Sequence, residues 1–225
     1  MRDVSVAFNR MAGDLAAMER ERAMVLAGIS HDLRTPLARL RLAAEMSGAD
    51  KDTVAAIATD VEEMDKVIGQ VLDFARGEDE PRSERDLAGL VRDIADSYQR
   101  RGFDVVAAEV AAADVAFSPK NVRRAVANLI DNALRYAGSR IEISLKPHGN
   151  QALIDVMDRG PGVPADQAER LKRPFTRLDE SRTGSGGAGL GLAIVERVAR
   201  AHGGRLELLP RDGGGLLARF TLASK

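Results

Sequence analysis

The amino-acid sequence predicts two domains of different class: an all-α antiparallel helical hairpin and, after it, an α+β domain in which a sheet packs on helices. The first prediction comes from two long stretches whose apolar residues recur at steps of three and four. The second comes from short apolar strands that alternate with helical stretches beyond residue 85. Between them, residues 77–84 are charged, contain Gly and Pro and show no periodicity, as expected of a linker.

Composition excludes several classes of function. The 225 residues have a net charge of −1, no Trp and only 4% aromatic residues, which argues against a nucleic-acid-binding surface. The chain has no Cys, so it forms no disulfide or thiolate metal site and fits a reducing compartment. No apolar run approaches the length of a membrane span, and no signal peptide is visible. We therefore expect a soluble, cytosolic part of a longer protein.

The first helix is predicted over residues 5–47. Its apolar stripe leaves His31 on the opposite, exposed face, with Asp32 beside it and Thr35 one turn further along. Pro36 removes the amide that would bond the carbonyl of Asp32, at a cost of roughly 3 kcal/mol, and so predicts a bend beside the histidine. An ordinary solvated histidine is the alternative interpretation. The apolar residues are Phe8, Met11, Leu15 and Met18, typical of a coiled-coil seam, and then Leu26, Ile29, Leu33, Leu37, Leu40 and Ala44.

A turn at residues 47–50, containing Gly48 and Asp50, precedes a second predicted helix over residues 51–76. Two such helices joined by a short turn form an antiparallel hairpin. A hairpin alone cannot bury both apolar stripes, so we expect two copies to dimerise into a four-helix bundle. A monomeric hairpin packed on its own second domain is the alternative. The second stripe consists of Val54, Ile57, Val61, Met64, Ile68, Val71 and Ala75.

The second domain is predicted to interleave helices and strands, with a closing hairpin across residues 211–215. Ser118 is a good N-cap, and Pro119 suits the first position of the helix that follows. The predicted helices are about 86–101, 118–136, 166–171 and 189–202, and the predicted strands are 103–107, 115–117, 140–146, 152–157, 205–209 and 216–222.

Two polar clusters in this domain carry candidate chemistry. On one predicted helix, Asn128, Asn132 and Arg135 face one way, and two carboxamides with a cation can hold a hydrated Mg²⁺ and phosphate oxygens. Directly after an apolar strand, Asp158 begins a Gly-rich turn. Its carboxylate can accept a hydrogen bond from the exocyclic amine of adenine there. Solvated asparagines and an ordinary Asp-Gly turn are the alternatives.

A third cluster is the glycine-rich segment at residues 184–192, which leads into a helix. Glycines before a helix N-terminus expose backbone amides to an anion, and the helix dipole favours phosphate. The segment is not a Walker loop, because it lacks Gly-Lys-Ser/Thr, and it does not follow a strand as a dinucleotide fingerprint must. A flexible linker is the alternative.

In this order, the clusters make the whole chain resemble the catalytic core of sensor histidine kinases, in particular the EnvZ-like osmosensor group. Residues 1–22 resemble the end of a HAMP signalling helix. The matches to the family's motifs are His31–Pro36 for the H box, Asn128–Tyr136 for the N box, Asp158–Gly162 for the G1 box, Pro174–Arg177 for the F box and Gly187–Leu192 for the G2 box.

The resemblance implies a dimerisation and histidine phosphotransfer domain at 23–77, a linker at 78–85, and a catalytic ATP-binding domain of the Bergerat (GHKL) type at 86–225. It implies ATP and Mg²⁺ as cofactors, with Asp158 recognising adenine and Asn132 binding the metal next to Asn128. Residues 159–188 would form a mobile lid. The family often has Thr at the position of Ala188. Alanine there lacks the hydroxyl group that Thr would place near the phosphates, while the backbone amides are unchanged. The other nucleotide contacts implied are Arg135, Tyr136, Gly160, Gly162, Arg177, Gly187, Gly189, Leu190 and Gly191.

For the reaction, the resemblance implies that His31 attacks the γ-phosphorus through a neutral ring nitrogen while Asp32 holds the other ring N–H. The phosphate would pass to an aspartate of an OmpR-like response regulator. Thr35 matches the position that helps place water for dephosphorylating that regulator, so we expect a bifunctional kinase and phosphatase. The full-length protein would be a homodimer anchored at the cytoplasmic face of the bacterial inner membrane.

Two rival functions remain at this point. An ATPase of the same superfamily, similar to chaperones and mismatch-repair proteins, would hydrolyse ATP with a Glu one turn before the Mg²⁺-binding Asn. Asn128 stands there and cannot act as a base, which favours phosphoryl transfer to a side chain. A non-catalytic dimeric adaptor with a decayed nucleotide domain is the other rival, and the intact Asp158, Asn132 and glycines argue against it.

Overall fold

The computed structural model describes residues 10–11, 25–26, 28–30, 32–75, 81–138, 140–178 and 188–223. These residues fall into two compact units, a helical hairpin and an α/β unit. The described part of the chain contains no helix that is both long enough and apolar enough to cross a membrane.

The helical unit contains α1, at residues 32–46, and α2, at Lys51–Ala75, while residues 10–11, 25–26 and 28–30 are also helical. Helix α1 continues through Pro36, so the proline does not end it; the predicted bend remains a prediction. The predicted turn is confirmed, with Gly48 at φ 68°. Asp50 then caps α2 by accepting hydrogen bonds from the N–H and hydroxyl of Thr53 at 2.8 and 2.7 Å. The predicted coiled-coil seam lies outside the described residues, apart from 10–11.

The apolar stripes of the hairpin are only partly covered within one chain. Ala44, Val61 and Leu72 are buried. Several larger side chains of the same stripes remain about half exposed, namely Ile29, Leu33, Leu40 and Met64. The two helices are also joined by ion pairs from Arg34 to Asp65 at 2.7 Å and from Arg41 to Glu62 at 3.6 Å. These pairs are exposed and each contributes only about 0–1 kcal/mol.

The α/β unit is built on a five-stranded sheet in the order β2-β4-β5-β7-β6. Strand β2 pairs parallel with β4, and the other neighbours are antiparallel. The helices are α3 (Leu87–Arg100), α4 (Pro119–Ala137), α5 (Ala165–Leu171) and α6 (Gly191–Ala201). The strands are β1 (Ser83–Glu84), β2 (Val105–Val110), β3 (Ala116–Phe117), β4 (Ile141–His148), β5 (Gln151–Met157), β6 (Leu206–Pro210) and β7 (Leu216–Ala223).

The core of this unit lies between the sheet and helices α3, α4 and α6. Alternate residues of the central strands are fully buried, as expected when one face of a sheet is covered. Examples are Ile143, Ile154 and Phe220, each with no exposed surface. The predicted α+β sandwich is therefore confirmed. Because β5 lies in the middle of the sheet, its end at Met157 places the next residue, Asp158, at the edge of this core.

Two predicted elements differ from the structure. The segment predicted as a linker contains strand β1, which pairs with β3 from Ser83 to Phe117. A two-residue strand has no periodicity by which the sequence could reveal it. Strand β2 begins at Val105 instead of 103, because the ring of Phe103 packs on Tyr98 with centroids 6.1 Å apart and Arg101 stacks over both rings. Phe103 therefore belongs to a local aromatic cluster and not to the strand.

Candidate functional site

The two asparagines of the N box lie on helix α4. Asn128 and Asn132 are half-buried on one side of the helix, while Leu129 and Ile130 on the other side are buried in the core. The Nδ2 atom of Asn128 donates to the backbone carbonyl of Arg124 at 3.1 Å. The amide group is thereby oriented, and its carbonyl oxygen remains directed at a neighbouring segment.

That neighbour is the start of α6. A Cβ atom built on Gly191 would lie 3.5 Å from Oδ1 of Asn128. The first turn of α6 therefore lies beside the asparagine face of α4, at a distance that corresponds to van der Waals contact for a Cβ. Because the first amides of a helix have no intrahelical partner, this junction combines amide oxygens with unpaired N–H donors.

Asp158 follows β5 and is only 5% exposed. Its Oδ1 atom accepts hydrogen bonds from the N–H of Gly160 at 2.7 Å and from the N–H of Leu216 at 3.3 Å. The N–H of Asp158 in turn donates to the carbonyl of Leu216 at 3.0 Å. Among the described residues, no hydrogen bond to this side chain uses Oδ2, so that atom can accept a donor from a ligand.

The turn after Asp158 packs closely on the C-terminal end of α4. A Cβ on Gly160 would lie 3.1 Å from Cα of Ala137, and Gly162 adopts φ 72°. Bulkier residues at either position would push the turn away. Arg135 and Tyr136, both exposed, immediately precede Ala137 in the last turn of α4.

The segment before α6 is held against residues 174–177. Gly189 has φ 67°, and a Cβ there would lie 3.0 Å from the backbone of Phe175 and Thr176. The N–H of Phe175 donates to the carbonyl of Gly189 at 3.0 Å, and Phe175 itself has φ 60°, which is unfavourable for a residue with a side chain. This tight approach fixes the backbone that leads into α6.

Three contacts thus bring four of the predicted motifs together: α4 to α6, α6 to residues 174–177, and the end of α4 to the Asp158 turn. The resulting site has a buried carboxylate at one end and the N-terminus of an eleven-residue helix at the other. A carboxylate can recognise an amine of a base, and a helix N-terminus favours phosphate. The arrangement suits a nucleotide.

Comparisons with known proteins agree with this geometry. Residues 118–225 match the family model of histidine kinase-, DNA gyrase B- and HSP90-like ATPases, and residues 21–80 match that of the His Kinase A (phospho-acceptor) domain. The solved histidine kinase domain of the Escherichia coli osmosensor EnvZ is 35% identical, with a TM-score of 0.50, and the match covers 67% of this chain and 93% of that domain. The chain belongs to the sensor histidine kinase family.

Other relatives extend the match over nearly the whole chain. The sensor protein RstB of Escherichia coli is 36% identical over 236 residues, which cover 98% of this chain and 52% of RstB. Full-length ShkA, solved in complex with AMPPNP, has the same fold with a TM-score of 0.70 at 24% identity, over 91% of this chain and 47% of ShkA. The chain spans about half the length of the curated sensor kinases that it matches.

The remaining predicted site residues of this sensor kinase are placed as follows. His31 and Gly187 lie outside the described residues. Asp32 and Thr35 are exposed on α1. Leu190 is fully buried, so only its backbone can contact a ligand. The backbone carbonyl of Arg177 accepts a hydrogen bond from Nη2 of Arg170 at 3.3 Å.

The sequence analysis did not identify Tyr98, a residue of α3 that contacts the N box. The hydroxyl of Tyr98, on α3, donates to Oδ1 of Asp131 at 2.8 Å. Burial, and secondly the charge of Asp131, raise the pKa of Tyr98 well above its usual range, so the phenol stays protonated. The two residues are 33 positions apart. The apolar periodicity of α3 is the signal from which burial of Tyr98 could have been predicted, whereas nothing in the sequence indicates its partner.

Proposed function

We propose that this chain is the core of a protein-histidine kinase that transfers the γ-phosphoryl group of ATP to His31 and then to an aspartate of a response regulator. The observation that carries the proposal is the convergence of the asparagine face of α4, the Asp158 turn and the N-terminus of α6 in one site. The same chain contains a phospho-acceptor domain, which would receive the phosphoryl group from ATP bound at this site.

Within the site, Oδ2 of Asp158 accepts a hydrogen bond from the exocyclic amine of adenine. Backbone amides of Gly189, Leu190 and Gly191 bind phosphate oxygens at the start of α6. The other contacts of the nucleotide are Arg135, Tyr136, Gly160, Gly162, Arg177 and Gly187.

The residues present also fit a magnesium ion. Mg²⁺ prefers oxygen ligands and keeps several of its waters, so one or two amide oxygens beside the phosphates suffice. We assign the metal to the side-chain oxygen of Asn132. The Asn128 oxygen, oriented towards Gly191 by the bond of its Nδ2 to Arg124, lies next to that site. The ion would neutralise charge on the transferring phosphoryl group.

In the proposed transfer, a ring nitrogen of neutral His31 forms a bond to the γ-phosphorus, and the bond from that phosphorus to the bridging oxygen of ADP breaks. Asp32 accepts the hydrogen bond of the other ring N–H and so favours the nucleophilic tautomer. Thr35, one turn away on the same helix face, places water when the regulator is dephosphorylated. The same core would therefore act as kinase and phosphatase.

The apolar residues left half exposed on the hairpin support a homodimer, in which the helices of two copies form a four-helix bundle. We also propose that the response regulator is OmpR-like. In its full-length form the kinase would work at the cytoplasmic face of the bacterial inner membrane.

Incubation with ATP labelled at the γ-phosphate tests the proposal. We expect label on the protein that is labile in acid and stable in base, as for phosphohistidine. His31→Gln should abolish the label while ATP binding, measured by calorimetry, is retained; His148→Gln is the matched control, because His148 lies exposed at the end of β4. Released phosphate without labelled protein would instead indicate an ATPase, and the absence of both would indicate an adaptor.

A further inference from the structure

The turn between β6 and β7 and the turn that begins at Asp158 are fastened to each other by two arginines that reach in opposite directions. From the Asp158 turn, Nη1 of Arg159 donates to the backbone carbonyls of Asp212 at 2.7 Å and Gly214 at 3.3 Å. From the β6–β7 turn, Nη1 of Arg211 donates to the backbone carbonyl of Asp158 at 3.2 Å. Each turn therefore supplies both a donor side chain and the acceptor carbonyls for the other.

Glycines make this approach possible. Gly213 and Gly215 have φ of 77° and 108°. A Cβ on Gly213 would lie 2.9 Å from Nη1 of Arg159, and one on Gly215 would overlap the carbonyl of Asp158. The carbonyl of Gly215 also lies 3.1 Å from where a Cβ of Gly162 would be. The glycine run of the β6–β7 turn is thus shaped to the backbone of the Asp158 turn.

Arg211 is the better anchored of the two arginines. Its side chain is 9% exposed, and its Nη2 atom lies 2.8 Å from Oε2 of Glu142 on β4. The hydrogen bond from Arg211 lowers the pKa of Glu142, so this carboxylate stays ionised and holds the guanidinium. Hydrogen bonds from a charged donor are stronger than neutral ones, so the mostly buried guanidinium of Arg211 links Glu142 to the backbone carbonyl of Asp158.

We propose that Arg211 is a positioning residue for base recognition: through Glu142 and the carbonyl of Asp158, it holds the backbone of Asp158 so that Oδ2 faces the nucleotide base. Arg159 assists by fastening the β6–β7 turn from the other side. The inference rests on the proposed function, in which Asp158 binds the adenine amine. Arg211 itself does not touch the base.

The test uses the whole chain and ATP. Arg211→Met keeps the length of the side chain and removes its donors. We expect the KM for ATP to rise about tenfold, as for a lost charge-assisted hydrogen bond, while kcat at saturating ATP changes less than about twofold. Discrimination against GTP should also fall, because guanine presents a carbonyl where adenine has its amine, and a displaced carboxylate repels it less. Arg211→Lys and Glu142→Gln should show the same split in weaker form.

Arg219→Met is the matched control. Arg219 lies on the same β6–β7 hairpin and forms two 2.8 Å hydrogen bonds with Asp155, and among the described residues no hydrogen bond joins its side chain to the Asp158 turn. It should lower the thermal midpoint without changing the KM for ATP or the preference over GTP. The inference would be overturned if Arg211→Met and Arg219→Met changed the KM for ATP and the preference over GTP equally. It would also be overturned if the KM for ATP were unchanged in both Arg211→Met and Glu142→Gln.

Failure of the proposed function is recognised separately with Asp158→Asn. If this variant binds ATP as tightly as the wild type, Asp158 does not recognise the base and the role assigned to Arg211 falls with it. If Asp158→Asn loses ATP binding while the Arg211 and Glu142 variants keep it, the proposed function stands and only the positioning role is overturned.

Discussion

The Nε2 atom of His202 accepts a hydrogen bond from the backbone N–H of Ser118 at 3.0 Å. Because a nitrogen that accepts carries no proton, the ring proton lies on Nδ1, which donates to the carbonyl of Val198 at 2.8 Å. His202 follows the last turn of α6, and Ser118 is the N-cap of α4. One buried, neutral imidazole therefore joins the far ends of the two helices, α4 and α6, that carry residues of the proposed nucleotide site.

This link predicts that the stability of the α/β unit depends on pH. Burial, and to a lesser extent the charge of Arg82, lower the pKa of His202 below its ordinary value of 6.5. Well above pH 6.5 the ring is neutral in both the folded and the unfolded state, and the stabilisation is complete. As the pH falls below this value, the unfolded chain binds a proton that the folded chain excludes, so the free energy of unfolding decreases until the folded pKa is reached.

Urea unfolding followed by tyrosine fluorescence measures this effect, since the chain has no Trp and both tyrosines, Tyr98 and Tyr136, lie in the α/β unit. His202→Gln should be less stable at neutral pH, and the difference from the wild type should shrink towards acid. Contributions of all other groups cancel in this difference. A constant difference between pH 8 and 5 would contradict the prediction.

The β6–β7 turn offers a paired test of close packing. Gly215→Ala and Gly214→Ala both introduce a side chain at positive φ, 108° and 94°, and each is strained by about 1–2 kcal/mol for that reason. Only the Cβ at 215 meets another segment, the backbone of Asp158; nothing lies within 4 Å of the one at 214. Gly215→Ala should therefore weaken ATP binding about tenfold or more in calorimetry, while Gly214→Ala leaves it nearly unchanged.

The contact between α3 and the N box is expected to matter for stability. Tyr98→Phe removes the hydroxyl that donates to Asp131 and leaves the half-buried carboxylate with one donor fewer, which should cost about 1–2 kcal/mol. Hydrogen exchange of the α3 and α4 amides measures the loss. Tyr136→Phe is the control, because Tyr136 is 46% exposed. Equal protection from hydrogen exchange in both variants would show that the Tyr98 hydroxyl does not stabilise this contact.

The exposed stripe of the hairpin predicts how the dimer can be disrupted. Leu40→Glu places a charge in the apolar stripe, where Leu40 is 54% exposed in a single chain. Light scattering should then report the mass of a monomer, since an unpaired charge cannot be buried at an interface. Ala38→Glu, exposed outside the stripe, should leave the wild-type dimer intact. A wild-type monomer, or a dimer that persists in Leu40→Glu, would argue against assembly through this stripe.

The sequence by itself determined the two-domain architecture, most of the helices and strands, and the identity of the motifs. These follow from local rules: apolar residues repeat with the period of the element that buries them, and glycines stand where a helix start must approach a ligand. The matching of Asn128, Asn132 and Asp158 to their motifs was possible for the same reason, since residue type and short spacing identify them.

Only the tertiary structure decided which distant residues hold the site in place. His202 meets Ser118 across 84 positions, and Arg211 meets the carbonyl of Asp158 across 53. Both contacts depend on how β5, β7 and α6 are arranged around one core, which brings residues far apart in the sequence together. Hydrogen bonds of this kind involve single atoms at fixed separation, which no pattern along the chain encodes.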